Sequence, residues 1–252
     1  MLTTRIPDNW RDLQESVARI LTECGFSVEV EKVIQTVRGS VEIDVFAREV
    51  IDGRTYTVLC ECKHWAARVR QNVIHGFRTV VADSGANLGY IISMEGFQSG
   101  AFTSAELTNI RLVTWQAFQS EFEASWIKHH LVPTITERLD PLFTYTEPLL
   151  PRQFERLDEA SKREFMEIRK KHEVFGTILV MLFSSYARMI TQRAFHTLPL
   201  RAELVKGVAG AERFIPDSVL DATGYSDFLQ AALAHGETAI REFRDVLRQD
   251  PG

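Results

Sequence analysis

Two apolar runs joined by a turn signal dominate the first quarter of the chain. "VEIDVFA" at 41–47 and "TYTVLCECK" at 55–63 have the length and alternation of β-strands, and Asp52-Gly53 between them favours a tight hairpin. Both runs contain charged residues, which strand interiors normally lack. If the two runs pair as one hairpin, the positions of those charges are tightly restricted.

The period of two along a strand places the charges of each run on one face. Asp44 can then lie beside Glu61, with Lys63 next to both. One interpretation is an ion pair between Asp44 and Lys63 at a strand end. The other is a pair of carboxylates that binds a hard divalent cation, beside an ammonium that stabilises negative charge. Spacing alone leaves both interpretations open.

The flanking sequence predicts an α/β fold with a central mixed sheet and helices on its faces. Apolar residues recur at helical spacing or alternate at strand spacing in the order α-β-β-β-α-β-α-β. The predicted elements are a helix ending before Gly25, strands at 26–34, 41–47 and 55–63, a helix at 69–82, a strand at 88–93, a helix at 97–107 and a strand at 110–115.

The remainder of the chain is predicted to be all helical. Prolines recur from 133 to 151, and helical patterns follow at 151–175, 176–195 and 224–247. We therefore expect a first domain over 1–118, a helical, proline-containing linker over 119–150 and a helical accessory domain over 151–252. The apolar segment 176–195 requires burial, which predicts oligomerisation, sensing or docking of a partner protein by this domain.

Composition excludes several classes of protein. A net charge of −5 at pH 7 argues against a generally basic nucleic-acid coat, although a local basic groove is compatible with it. Three cysteines cannot supply a four-cysteine zinc site. The N-terminal residues lack an apolar signal core, and the apolar stretch at 176–183 is far shorter than the roughly 20 residues that span a bilayer. We expect a soluble, cytoplasmic protein with no membrane partner.

One motif resembles the signature of the PD-(D/E)xK nuclease superfamily. It consists of Asp44, sixteen intervening residues and then Glu61-Cys62-Lys63. The flanking sequence is similar to the Mrr-like restriction endonuclease branch over residues 10–118. The segments that carry this resemblance are "LQESVARILTECGF", "EIDVFA", "ECKHW", "GFRTVVADSGANLGYIIS", "GFQSGA" and "IRLVTW". The resemblance implies a restriction-endonuclease-like α-β-β-β-α-β core and Mg²⁺-dependent cleavage of DNA, with Mn²⁺ as a substitute, in restriction or anti-phage defence.

The resemblance also implies roles for individual residues. Asp44 and Glu61 would be metal ligands, Lys63 the catalytic lysine, and Glu15 the acidic residue of the first helix. Ile43 stands where the eponymous proline would be, and Glu42 is an alternative ligand on the face of Asp44. A basic rim beside the motif, with Trp65 among its residues, predicts phosphate-backbone binding; it contains Lys63, His64, Arg68 and Arg70. Gln71, at the start of the helix after the motif, lies where members of the family often carry a polar site residue.

Two other functions are compatible with the sequence. A protein with the nuclease fold can be catalytically silent and bind nucleic acid or a partner protein, because fold alone does not fix function. A nuclease of this type could also cleave RNA, and the sequence does not distinguish RNA from DNA.

Overall fold

The structure, a computed structural model, describes residues 1–183, 198–207 and 210–248. It divides into two compact units, 1–129 and 130–252. The boundaries predicted from sequence, at 118 and 151, differ from this division. Residues 119–150, expected as a helical linker, are mostly helical and are shared between the two units.

The first unit has the predicted α/β architecture. Its helices are α1 (Trp10–Glu23), α2 (Gln71–Ser84), α3 (Ser99–Ala105) and α4 (Trp115–Trp126). Its strands are β1 (Ser27–Thr36), β2 (Gly39–Ile51), β3 (Arg54–Lys63), β4 (Leu88–Ser93) and β5 (Ile110–Thr114). A π-helical turn, Ile127–Leu131, follows α4.

The five strands form one mixed sheet in sequential order. β1, β2 and β3 are antiparallel, while β4 and β5 continue the sheet in parallel pairing from β3. Asp52 and Gly53 both have positive φ, which is the backbone conformation that the predicted tight hairpin requires. The resulting register pairs Val45 with Cys60, so that Asp44 and Glu61 are neighbours at the point where the pairing of β2 with β3 ends.

The core between the sheet and α2 is apolar. Side chains of β2, β3 and β4, including Ile43, Leu59 and Ile91, pack with Ile74 and Phe77 of α2. This burial fixes the register of the strands, because a slip of one residue would turn these apolar side chains away from α2.

The second unit is helical over the residues that the structure describes. Its helices are α5 (Val132–Arg138), α6 (Asp140–Thr146), α7 (Glu159–Phe183), α8 (Leu200–Gly207), α9 (Asp217–Leu220) and α10 (Tyr225–Leu247), with 3₁₀ turns at Arg152–Arg156 and Ala211–Phe214. None of the described helices is both long enough and apolar enough to span a membrane.

One helix boundary was predicted wrongly. We expected separate helices at 151–175 and 176–195, but α7 runs without a break through Gly176. A glycine fits there because a Cβ atom would collide with Thr146 of α6. Residues 184–195 of the predicted second helix lie outside the described residues.

A polar cluster lies in the contact between α7 and α10. His172 is buried and its Nε2 lies 2.8 Å from a carboxylate oxygen of Glu242, which also accepts hydrogen bonds from Lys171. The His235 ring lies 5.2 Å from the His172 ring. Burial and the neighbouring His172 and Lys171 lower the pKa of His235 to about 4, although Glu242 opposes this shift.

Candidate active site

Asp44 is held in one orientation by two hydrogen bonds. The side-chain amide of Gln14 on α1 donates to its Oδ1 (2.8 Å), and the backbone N–H of Cys62 donates to its Oδ2 (2.7 Å). The second hydrogen bond joins β3 to β2, and its donor, Cys62, stands between Glu61 and Lys63 in the sequence. Asp44 is thus fixed beside the Glu61-Cys62-Lys63 motif.

Glu61 and Lys63 form an ion pair, and both side chains are largely buried. The pKa of Glu61 is raised, first by its burial and then by the neighbouring carboxylate of Asp44, whereas Lys63 acts in the opposite direction. The three side chains carry two negative charges and one positive charge when ionised. The ion pair that sequence analysis considered, between Asp44 and Lys63, is therefore replaced by one between Glu61 and Lys63.

The oxygen atoms at this site fit a hard divalent cation. Each carboxylate oxygen has a second lone pair beyond the hydrogen bonds described above. Gln14 adds an amide oxygen, Oε1, which is buried and lacks a hydrogen-bond partner among the described residues. The described residues contain no cluster of three or more His, Cys, Asp and Glu side chains arranged for a metal, so a cation here would rely on the two carboxylates and on water.

Gln14 is the site residue that sequence analysis missed. Glu15, its predicted counterpart on α1, is exposed, whereas the side chain of Gln14 is 3 % exposed. The helical period carried this information: at roughly 100° per residue, Gln14 lies on the side of Leu13, Val17 and Leu21, and Glu15 points away from it.

Glu42, the alternative ligand, is exposed on β2 and pairs in register with Val33 of β1. Asp44 instead contacts both α1 and β3. The structure thus brings Asp44, Glu61 and Lys63 together and leaves Glu42 and Glu15 at the surface.

The predicted basic rim follows directly after Lys63. His64 lies 3.0 Å from the carbonyl oxygen of Pro7 through its Nε2. Arg68 and Arg70 are exposed and line a groove together with Trp65. Gln71, at the start of α2, instead lies 3.0 Å from His75 through its side-chain amide nitrogen. Of the four residues predicted to contact nucleic acid, His64, Arg68 and Arg70 therefore line one groove, while Gln71 bonds within its own helix.

This fold and this motif match a known family. Residues 8–121 match the Mrr catalytic-domain model, whose description is restriction endonuclease. The first unit is therefore a restriction endonuclease domain of the Mrr type, a nuclease domain of the PD-(D/E)xK superfamily. The resemblance inferred from the Asp44 and Glu61-Cys62-Lys63 spacing is confirmed, as is the predicted fold class.

No protein of curated function shows significant sequence similarity to the chain. A solved structure titled as a protein of unknown function, AF1548, is 16 % identical and covers 92 % of this chain and 99 % of its own, with a TM-score of 0.39.

Proposed function

We propose that the nuclease domain hydrolyses phosphodiester bonds of DNA and that it uses Mg²⁺, with Mn²⁺ as a substitute. The observation that carries this proposal is the convergence of Asp44, Glu61 and Lys63 at one end of the sheet. Each has a neighbour that fixes it, so little reorganisation is needed before reaction.

Asp44 and Glu61 are the proposed metal ligands, and Gln14 supports them. A cation bound there would lower the pKa of a water molecule and neutralise charge on a phosphoryl oxygen. The amide N–H of Gln14 orients Asp44, while its unpartnered Oε1 can accept a hydrogen bond from water. Binding of a cation also relieves the repulsion between the two carboxylates.

Lys63 is the proposed catalytic lysine. Its ammonium group is held against Glu61 and lies 5.2 Å from the centre of the Trp65 ring. From this position it can donate a hydrogen bond to the attacking water or to a non-bridging phosphate oxygen, where negative charge increases during the reaction. His64, Arg68 and Arg70 would bind the flanking phosphates, and Gln71 remains a proposed contact at the start of α2.

We further propose a role in restriction or anti-phage defence in the cytoplasm, with the helical unit controlling the nuclease through self-association or a partner protein. Met166 and Met181 of α7 are exposed apolar side chains, which supports a protein contact on this helix. Light scattering during size-exclusion chromatography tests self-association; a monomer at micromolar concentration would count against it.

A cleavage assay tests the enzymatic proposal. Supercoiled plasmid and an RNA of matched sequence are incubated with Mg²⁺ or Mn²⁺ and with the wild type, Asp44→Ala or Lys63→Ala. Loss of each side chain should reduce DNA cleavage by about 10²-fold or more, by analogy with the removal of single charge-stabilising groups elsewhere. Glu42→Ala and Glu15→Ala are matched controls, since they remove exposed carboxylates from the same strand and from α1.

The outcomes separate the alternative functions. Equal cleavage by the wild type and both site variants would contradict the assigned roles. Faster cleavage of RNA would favour a ribonuclease, and binding without cleavage would favour a catalytically silent nuclease-fold protein. Loss of cleavage in Glu42→Ala with full activity in Asp44→Ala would transfer the ligand role to Glu42.

A further inference from the structure

The groove beside Lys63 has the chemistry of a nucleobase-binding site. It has a volume of about 620 Å³ and is lined by residues 64–68, 70, 72 and 73. We call it the base groove. Its lining combines an aromatic side chain, an amide and small apolar side chains with the cations Arg68 and Arg70, and these described lining residues include no carboxylate.

Trp65 is the largest side chain that lines the base groove. Its side chain is 44 % exposed, although a tryptophan gains most from burial. Trp115 and Trp126 in the same unit are almost completely buried, so the domain does bury tryptophan where it serves the core. An exposed indole that lines a groove offers a flat face on which a planar ligand can stack.

The loop that carries Trp65 is fixed at both ends. His64 bonds to the carbonyl oxygen of Pro7 (3.0 Å) on one side. On the other side, the buried Val69 donates to Gly96 (3.0 Å) and accepts from Gln98 (3.0 Å). The exposed residues between these two anchors are therefore pre-ordered, which lowers the entropic cost of binding a ligand there.

Trp65 is also joined to the proposed cleavage chemistry, because the ammonium group of Lys63 lies 5.2 Å from the centre of its ring. A ligand stacked on Trp65 would therefore lie next to the phosphate that Lys63 contacts. Arg68 and Arg70 supply positive charge for a polyanionic strand, and the amide of Asn72 can donate to and accept from the edge of a base.

From these contacts we infer that the base groove binds an unpaired nucleobase of the DNA strand that is cut, stacked on Trp65. In an intact duplex both faces of a base are covered by its neighbours, so stacking on Trp65 requires a base that has left the helix or lies in a single strand. This inference rests on the proposed cleavage of DNA and narrows its substrate to DNA with an unpaired nucleotide beside the cut.

Binding without metal tests the inference independently of cleavage. The full chain in EDTA is titrated into labelled single-stranded DNA, a fully paired duplex of the same sequence, a duplex with one unpaired nucleotide, and single-stranded RNA. Trp65→Ala should weaken binding of the two DNAs with unpaired bases by roughly 5- to 100-fold, and binding of the paired duplex far less. Trp65→Phe, which keeps an aromatic face, should restore most of the affinity.

Trp10→Ala is the matched control. Trp10 is the other exposed tryptophan of the described residues and also has a cation near its ring, that of Arg11 at 5.3 Å, but it does not line the base groove. The Trp10→Ala variant should bind each nucleic acid with the affinity of the wild type. Trp65→Ala should retain the thermal unfolding midpoint, because its side chain lies outside the core.

Several outcomes would overturn the inference. They are unchanged binding of unpaired DNA by Trp65→Ala, an equal loss for paired and unpaired DNA, and tighter binding of RNA than of single-stranded DNA. These results concern binding alone. Suppose instead that DNA with unpaired bases binds in a Trp65-dependent way but is not cleaved in Mg²⁺ or Mn²⁺. That result would contradict the proposed function, while the inferred role of the base groove in binding would stand.

Discussion

The side chain of Gln14 donates a hydrogen bond to Asp44 and leaves its own amide oxygen buried without a partner among the described residues. The pair joins α1 to β2 at the point where the proposed ligands converge. A buried polar atom without a partner normally costs stability, so a ligand or water at Oε1 gives this arrangement a physical reason.

The Gln14–Asp44 pair predicts how added metal changes stability. Gln14→Glu replaces the donor with a carboxylate facing Asp44, so the variant should be less stable without metal and should gain more in unfolding midpoint from Mn²⁺ or Mg²⁺ than the wild type. Gln14→Ala should gain less than the wild type. Thermal unfolding with and without metal measures both shifts.

The matched control for this prediction is Glu15→Gln, since Glu15 is the exposed neighbour on the same helix. Its response to metal should equal that of the wild type. If Glu15→Gln reduces the metal response and Gln14→Ala does not, the role inferred from family resemblance belongs to Glu15 after all.

The close packing around Gly89 of β4 predicts that one added methyl group destabilises the domain. A Cβ atom there would lie 2.7 Å from Val81, 2.8 Å from Ile110 and 2.9 Å from Phe77. Gly89→Ala should therefore reduce the free energy of unfolding by about 1–3 kcal/mol through overpacking. Urea denaturation measures the change.

Gly76 provides the opposite case for comparison. It lies within α2, and a Cβ atom there would meet nothing within 4 Å. Gly76→Ala should stabilise the domain by about 0.5–1 kcal/mol through helix propensity alone. Similar effects of the two substitutions would argue against the close packing of β4 on α2.

The polar cluster of α7 and α10 predicts a lower free energy of unfolding in mild acid. His235 is neutral in the folded protein because its pKa is lowered to about 4, while in the unfolded chain it takes up a proton near pH 6.5. Its contribution to stability is therefore complete above pH 6.5 and declines as the pH falls towards 4. The slope should be below about 1.4 kcal/mol per pH unit, because the ring is only partly shielded from water.

Urea denaturation between pH 4.5 and 7 measures this slope. His235→Gln should flatten it, and a variant of an exposed histidine in the nuclease domain, His75→Gln, should not. Protonation of Glu242 on acidification also lowers the stability of the protein. Desolvation raises the pKa of Glu242, but hydrogen bonds from Lys171 and His172 outweigh it and lower this pKa overall. Part of the slope should therefore remain in His235→Gln.

The cysteines should be unreactive in the folded protein. Burial raises the pKa of Cys24 to about 11, against an opposing hydrogen bond from Ser125, and burial also raises the pKa of Cys60 and Cys62. Ellman's reagent at pH 8 should detect almost no thiol in the native protein and three after denaturation. Rapid labelling of a native thiol would contradict the burial of that residue.

The sequence predicted the nuclease domain well because its signals are local. Alternation in β2 and β3, joined by Asp52-Gly53, specified both the hairpin and the shared face of Asp44 and Glu61. β2 is longer than predicted, extending to Gly39–Ile51, because backbone pairing with β1 and β3 continues beyond the apolar alternation.

The features that sequence analysis missed depend on contacts between distant residues. The helical period places Gln14 on the buried side of α1, but its contact with Asp44 depends on how α1 packs against β2, thirty residues further along the chain. The continuity of α7 depends on Gly176 meeting Thr146 of another helix. Local patterns in the sequence do not contain such pairings.

The order in which the strands pair also separates two events during synthesis of the protein. β1, β2 and β3 can pair through short hairpins as soon as residues 27–63 have left the ribosome. The loop of Trp65 is anchored only when Val69 meets Gly96 and Gln98, after the crossover to β4 has emerged. A nascent chain can thus bring Asp44 beside Glu61 before the loop of Trp65 is anchored, so the proposed metal ligands meet earlier than the proposed surface for a DNA strand is formed.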